Sequence, residues 1–359
     1  MAIAAVPVRP RLRVHFSPSM IVDFRSDTIS KPTSAMLKYM RLAPVGDDVF
    51  SEDPTVNNLE EYIADLFGME SALFCPSGTM SNQIAIKAQT QPGDEVICDE
   101  GAHVHYYEGG GVAFNSNCST RTLKGERGVF TSEQLLEALR PADQHFPRTS
   151  LVSIENSCNR GGGKIFDLDE IKKIHQICKD KDLSMHLDGA RLFNAIVANQ
   201  VSAKTYGSLF DSISICLSKG LGAPVGSLLL GSASMIQDAR RIRKVLGGGM
   251  RQAGVVASAG MFALQNHVER LKLDNQLAKE IETILNASSF VNLVWPVETN
   301  IVVFELEESI AVSVFLEHLD QRGIKAFQVG PKHIRFVTHL DLPNNSAAIL
   351  SQALSELSS

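Results

Sequence analysis

Short apolar runs alternate with stretches of helical periodicity along most of the chain. Residues 57–67 carry apolar side chains at helical spacing and stop at Gly68, and Leu168 to Lys179 repeats the amphipathic pattern. Another helix is predicted after Pro76, ending near Gln89. The compact apolar runs, which predict buried strands, are 71–75, 95–98, 151–155, 183–188, 212–217 and 227–230. This alternation is typical of an α/β fold with a mostly parallel sheet covered by helices.

The pattern changes in the last third of the chain. A long helical stretch begins near Ala253 and continues, with a break, past Leu273. From about Asn292 the predicted order is a strand, a helix, a strand and a final helix, with the first three at 301–305, 312–321 and 333–337. We therefore expect a large domain over residues 20–265 and a small α+β domain over residues 266–359.

Composition limits the partners that the protein can have. The chain has 359 residues, 44% of them hydrophobic, and a net charge of −6, which gives no basic surface for nucleic acid or for an anionic membrane. No apolar run approaches the roughly 20 residues of a membrane span. The six cysteines stand far apart without a CxxC pair, so we expect reduced cysteines in a cytoplasmic protein and no zinc site.

Residues 1–19 differ from the rest of the chain. They contain three arginines, three prolines and no acidic residue, and they lack a clear signal-peptide core. We expect a disordered tail here. A start site placed too early, with Met20 opening the ordered sequence, and an organelle-targeting segment are the alternatives.

Two charged side chains stand at the ends of consecutive apolar strands. Lys219 follows the strand at 212–217 and is itself followed by Gly220, while Asp188 ends the strand at 183–188. A desolvated lysine is a neutral amine that can form a Schiff base with a carbonyl. Pyridoxal phosphate needs such a lysine and an acidic partner for its pyridine nitrogen, so the pair predicts this cofactor. A solvated loop lysine and a helix-capping aspartate are the alternatives.

Other strand ends carry residues that suit the same cofactor. Ser77, Gly78 and Thr79 lead from a strand into a helix, where free N–H groups favour a phosphate. His103 follows the strand at 95–98 and could stack on an aromatic cofactor and shuttle protons. A metal pair with His105 is less favoured, since no third ligand stands near it in the sequence.

Two arginines could bind a carboxylate. Arg191 follows Asp188 by three residues and could pair with a carboxylate or with a phenolic oxygen of the cofactor. Arg335 alternates with apolar neighbours on a predicted strand, where it is either a bidentate clamp for a substrate carboxylate or a solvated outer-face residue.

Taken together and in order, these residues resemble the low-specificity L-threonine aldolases, which are fold type I pyridoxal phosphate enzymes. The resemblance covers roughly residues 20–345. The segments that carry it are Asp23–Thr28, Pro44–Phe50, His186–Arg191, Cys216–Gly222, Gly247–Gln252 and Arg335–His339.

The resemblance implies a role for each candidate residue. Lys219 would hold the cofactor, Asp188 would pair with its ring nitrogen and His103 would stack on the ring. The phosphate would be bound by Gly78 and Thr79 with help from Arg251 of a neighbouring subunit, in a homotetramer with shared active sites. The substrate carboxylate would be held by Ser26, Arg191 and Arg335, and His145 would lie near the substrate hydroxyl.

The expected reaction is the cleavage of L-threonine, L-allo-threonine and related β-hydroxy-α-amino acids to glycine and an aldehyde. His103 or His145 would supply the base. The alternatives are β-elimination, transamination or serine hydroxymethyl transfer at the same site, and a binding protein without catalysis. The chain departs from the family pattern at Cys158, where a histidine is common, and at Glu52.

Overall fold

The computed structural model describes residues 21–357, so the tail predicted over residues 1–19 lies outside the described residues. The strands are β1 (Val22–Asp23), β2 (Ser71–Cys75), β3 (Glu95–Asp99), β4 (Ser119–Leu123), β5 (Thr149–Glu155), β6 (Ser184–Asp188), β7 (Ser212–Cys216), β8 (Ser227–Gly231), β9 (Val291–Val294), β10 (Ile301–Leu306), β11 (Ile324–Lys325), β12 (Phe327–Gln328) and β13 (His333–Val337). The helices are α1 (Ser34–Arg41), α2 (Pro54–Phe67), α3 (Gly78–Ala88), α4 (His103–Tyr106), α5 (Gly111–Ser116), α6 (Ser132–Ala138), α7 (Leu168–Asp180), α8 (Leu192–Asn199), α9 (Ala203–Gly207), α10 (Ala233–Val245), α11 (Gly254–Asn266), α12 (Leu271–Asn286), α13 (Val312–Asp320) and α14 (Ser346–Ser355).

A seven-stranded sheet forms the centre of the large domain, in the order β2-β8-β7-β6-β5-β3-β4. Strands β3 to β7 run parallel to one another, and only β8 is antiparallel to its neighbours β7 and β2. The central strands β3, β6 and β7 are almost entirely buried because helices cover both faces of a parallel sheet. The predicted α/β fold with a mostly parallel sheet is confirmed.

This topology gathers the predicted residues at one edge. The strands β2, β3, β5, β6 and β7 all point their carboxyl ends the same way. In open α/β sheets that edge is where ligands bind. The chain leaves it through the segments that carry Ser77, His103, Asp188 and Lys219.

A second, smaller sheet lies in the C-terminal part. It is antiparallel, in the order β12-β13-β10-β9, and the separate strand β1 pairs in parallel with β11. Val22 and Phe24 pack with this part in a hydrophobic cluster that includes Phe304, Phe315 and Phe336. The N-terminal segment thus shares the core of the C-terminal part, and the domain boundary at 265/266 stays a prediction.

One expected helix begins earlier than predicted. Helix α2 begins at Pro54 rather than at Asn57, because the Asp53 carboxylate caps the N–H groups of Thr55 and Val56, and Pro54 suits the first helical turn. The helical stretch predicted from Ala253 with a break is confirmed as the two helices α11 and α12, separated at residues 267–270. All six cysteines are buried and free of disulfides. Among residues 21–357 no helix combines the length and the apolar character needed to cross a bilayer.

Candidate active site

The turn from β2 into α3 forms a helix N-terminus beside the lysine strand. Ser77 caps α3 by accepting a hydrogen bond from the N–H of Met80, and the first-turn N–H groups of Gly78 and Thr79 have no acceptor within an α-helix. Gly78 lies so close to Cys216 that an added Cβ would collide with the sulfur. The end of α3 therefore rests against the strand that leads to Lys219.

Asp188 is a buried carboxylate fixed by donors. One oxygen accepts a hydrogen bond from Asn82 Nδ2 at 2.9 Å, and the other accepts from the N–H of Ala190 at 3.1 Å. Asn82 is fixed in turn by His186, whose Nε2 lies 3.1 Å from Asn82 Oδ1 and whose Nδ1 lies 2.8 Å from Ser212 Oγ. Since an amide oxygen only accepts, Nε2 of His186 carries a proton.

The buried His186 predicts a pH dependence of stability. Burial lowers the pKa of His186 from its usual 6.5 to about 4. Between these two pH values the unfolded chain binds a proton at this histidine and the folded chain does not. Stability is therefore fully present above pH 6.5 and is lost towards pH 4, by about 3 kcal/mol for this one group. We expect urea unfolding at a series of pH values to show that loss in the parent chain and a smaller one in His186→Asn. The exposed control His105→Asn should show the same loss of stability as the parent chain. A loss in His186→Asn as large as in this control would contradict the assignment to His186.

His103 begins the short helix α4 and is paired with an acid. Its Nδ1 lies 2.8 Å from Oε1 of Glu108, which is buried and also accepts hydrogen bonds from Asn82 and Gln83. Burial acts to lower the pKa of His103, but the hydrogen bond to Glu108 and the charges of Asp188 and Glu108 raise it above its usual value. One ring nitrogen of His103 and one carboxylate oxygen each of Glu108 and Asp188 lie within 4.8 Å of one another. The histidine and the aspartate therefore share one polar network.

Arg191 is buried against an acid that the sequence did not suggest. Its Nε and Nη2 donate to the two oxygens of Asp27 at 2.7 and 2.6 Å, and Asn300 Nδ2 donates to the same carboxylate at 3.2 Å. Although burial acts to raise it, the Arg191 charge lowers the pKa of Asp27 to about 2. Ser26 caps the short turn that holds Asp27, so Ser26 and Arg191 belong to one neighbourhood.

Arg335 reaches from β13 towards the same edge. Its Nη1 donates to Asn159 Oδ1 at 2.9 Å and its Nη2 to the carbonyl of Arg25 at 3.2 Å. Its Nε is buried without a hydrogen-bond partner among the described residues. Burial and then the neighbouring Arg191 charge lower the pKa of Arg335. Two adjacent cations with a spare donor favour an anionic ligand here.

Lys219 lies among these groups, half-buried after the end of β7. Its charge acts on the pKa of His103, Asp27 and Cys216, which places it close to all three. The structure thus brings together Lys219, Asp188, His103, Arg191 and the α3 N-terminus.

Two predicted residues are not part of this group within one chain. His145 is exposed and bonded to Asp143 in the loop before β5, so the strand separates it from Glu155 by roughly 20 Å. Arg251 is also exposed and pairs with Asp47 at 2.9 Å. Their roles stay predictions that call for a second copy of the chain.

Sequence reasoning missed the acids and amides that position these residues: Asp27, Asn82, Glu108, Glu155 and Asn159. Each lies in or beside a segment that carried a candidate residue. A pattern of one sequence shows no pairing between residues so far apart, such as Asp27 with Arg191, so only the fold identifies them.

The chain matches the family model "Beta-eliminating lyase" over residues 23–309, and this match gives its class. The low specificity L-threonine aldolase of Escherichia coli K12 is 39% identical over 330 residues, which cover 91% of this chain and 96% of the relative. Low-specificity L-threonine aldolase 1 of Arabidopsis thaliana is also 39% identical, over 89% of this chain and 91% of the relative. The chain belongs to the low-specificity L-threonine aldolase family.

Solved structures agree on the fold. The threonine aldolase of Leishmania major superposes with a TM-score of 0.84 at 20% identity, covering 94% of this chain and all of that one. A putative L-allo-threonine aldolase from Listeria monocytogenes gives 0.79 at 22% identity, over 94% of this chain and 96% of that one.

Proposed function

We propose that this protein cleaves L-threonine, L-allo-threonine and other β-hydroxy-α-amino acids to glycine and an aldehyde, with pyridoxal phosphate as its cofactor. The observation that carries the proposal is the likeness to aldolases of that name over 91% and 89% of this chain. The site supports it independently, because a lysine, a buried aspartate and two arginines meet at the sheet edge.

The residues present fit this cofactor. Asp188 is a buried carboxyl group whose two hydrogen bonds, from Asn82 and from Ala190, leave room for a further donor such as a protonated ring nitrogen. The N-terminus of α3, with Ser77 and Thr79 exposed, suits the phosphate. Lys219 supplies the amine that would hold the aldehyde carbon.

When bound, the cofactor accepts the electron pair of the bond that breaks at the substrate α-carbon. Arg335 and Arg191 hold the substrate carboxylate, with Ser26 beside them. Holding the carboxylate fixes the orientation of the Cα–Cβ bond, which is the bond that must break. Asp188 would pair with the ring nitrogen and keep it protonated, which would strengthen that electron withdrawal.

The β-hydroxyl must lose a proton for the aldehyde to leave. His103 is suited to take it, because Glu108 fixes its Nδ1 and so directs its Nε2 away from the acid. His145 of a neighbouring copy, or a water held by either histidine, is the alternative base.

Product analysis tests the reaction. With L-threonine, L-allo-threonine and phenylserine we expect equal amounts of glycine and the matching aldehyde. The description of the matched family model names β-elimination, which would instead release ammonia and a 2-oxo acid. Either that outcome or transfer of the one-carbon group of serine would contradict the aldolase proposal, and purified protein without the cofactor spectrum would revive a non-catalytic role.

We also propose a homotetramer with active sites shared between subunits, located in the cytoplasm. The support is that Arg251 and His145 are exposed and lie outside the group around Lys219. Phe50, which is 67% exposed beside Arg251, adds an apolar surface that a second copy would cover. Light scattering gives the subunit number. Mixing inactive Lys219→Ala and Arg251→Ala subunits should restore activity if sites are shared, and no recovery would contradict sharing.

A further inference from the structure

Glu155 is a buried carboxylate to which the proposed reaction gives no role. It ends β5, is 8% exposed and pairs in register with Asp188 on the neighbouring strand. No arginine or lysine among the described residues forms an ion pair with it. Burying an acid in this way is unfavourable unless hydrogen bonds compensate.

Its two oxygens bind two different segments of the site. Oε2 accepts a hydrogen bond from the backbone N–H of His103 at 2.8 Å, where α4 begins. Oε1 accepts from the backbone N–H of Asn159 at 2.8 Å. Asn159 in turn accepts from Nη1 of Arg335 at 2.9 Å through its side-chain oxygen. The carboxylate of Glu155 is therefore hydrogen-bonded directly to the backbone of His103. It is linked to Arg335 through Asn159, whose backbone binds Glu155 and whose side chain binds the arginine.

We propose that Glu155 is a positioning residue that holds His103 and Arg335 in register with each other, so that neutralising this single carboxylate loosens the cofactor side and the substrate side of the site together. The inference rests on the proposed function, which gives His103 and Arg335 their roles. Glu155 itself touches neither ligand and acts only through these two segments.

The surroundings of Glu155 make its charge sensitive to pH. The titratable or charged groups that interact with Glu155 or lie beside it come from five segments: Asp188 on β6, His103 on α4, Cys98 and Asp99 on β3, Cys158 and Arg160 on the following loop, and Arg191 before α8. Burial, and then the charge of Asp188, raise the pKa of Glu155 to about 7. Glu155 is thus ionised above about pH 7. Below that value one of its oxygens carries a proton and is a weaker hydrogen-bond acceptor. Both hydrogen bonds are strongest on the alkaline side.

The test is Glu155→Gln in the cofactor-loaded protein. The amide keeps the size of the side chain but puts an NH2 group where one oxygen was, so one backbone N–H then faces a donor. Two quantities are measured between pH 6 and 8.5: the dissociation constant of glycine, followed by the absorbance of the cofactor, and the circular dichroism of the cofactor without glycine. At pH 8.5 we expect glycine to bind about tenfold more weakly than in the parent chain, with reduced dichroism. The ratio of the glycine dissociation constants of the variant and the parent chain should approach one towards pH 6, where Glu155 of the parent chain is itself protonated.

Glu95 supplies a matched control. It too is a buried glutamate of the large sheet, 2% exposed, but it begins β3 at the opposite edge of the sheet and pairs with Arg140. Glu95→Gln should leave both measurements unchanged. Arg335→Lys should weaken glycine alone. The inference is overturned if Glu155→Gln changes only one measurement, if its ratio is independent of pH, or if Glu95→Gln has the same effect.

A second measurement covers a variant that does not fold. The reference is the amide of Met185 at the start of β6, which donates to Asp211 Oδ2 at 2.7 Å. In the parent chain, the rate of amide hydrogen exchange at His103 and Asn159, divided by the rate at Met185, should rise below pH 7 if Glu155 holds the two amides. An unchanged ratio would overturn the inference. A parent chain that binds no glycine would instead contradict the proposed function, and the exchange measurement would still decide the role of Glu155.

Discussion

Replacing Lys219 with alanine is expected to abolish the cleavage of L-threonine, with a loss in kcat of more than about 10³-fold. The lysine is the residue that would hold the aldehyde carbon of the cofactor, and it lies at the centre of the charged groups at the sheet edge. The absorbance of the parent protein at the boundary of the visible and near-ultraviolet regions should disappear in the variant, because that band requires the bond to lysine.

The matched control is Lys272→Ala. Lys272 is a surface lysine on α12 that pairs with Glu269, and its loss should leave both absorbance and kcat unchanged. A parent-like spectrum in Lys219→Ala would contradict the assignment of the lysine. A lost spectrum in Lys272→Ala would point to a general effect on folding instead.

Replacing Asp188 with asparagine is expected to keep the cofactor bound while lowering kcat by about 10²- to 10³-fold. The asparagine fills the same space beside Asn82 but has no charge to keep a proton on the ring nitrogen. The absorbance maximum of the bound cofactor should shift, since it responds to protonation of the ring. Steady-state kinetics on L-threonine, together with a titration of the cofactor, separates a loss of chemistry from a loss of binding.

Asp94 offers a control for removal of a buried charge. It is 5% exposed, against 2% for Asp188, but it lies just before β3 at the opposite edge of the sheet, paired with Arg148. Asp94→Asn is expected to affect stability and not kcat. Full activity in Asp188→Asn would contradict the role given to this carboxylate.

The strands of the large sheet could be predicted because each is a short apolar run with a polar end. The same local signal located Lys219, Asp188 and His103, since a charged or ring side chain directly after a buried strand stands out in the sequence. Helix α8 was not predicted, and α11 was predicted only as the first part of a longer helical stretch, because the nearly continuous apolar character of both helices gives little periodicity.

What the sequence could not supply is the pairing between segments. The hydrogen bonds that Asn82 donates to Asp188 and that Arg191 donates to Asp27 join residues 106 and 164 positions apart. Neither asparagine nor aspartate is unusual where it stands, and each acquires a role only through the fold. The same holds for Glu155, which reads in the sequence as the last residue of a strand.

The N-terminal segment has a consequence for the synthesis of the protein. Strand β1 has its partner in β11, and the carbonyl of Arg25 accepts its hydrogen bond from Arg335 across 310 residues. At ordinary translation rates Arg335 leaves the ribosome roughly 15–60 s after Arg25 does. The strands of the large sheet can pair earlier. Lys219 and Asp188 are therefore expected to reach their positions in the nascent chain before Arg335 is available to bind a substrate.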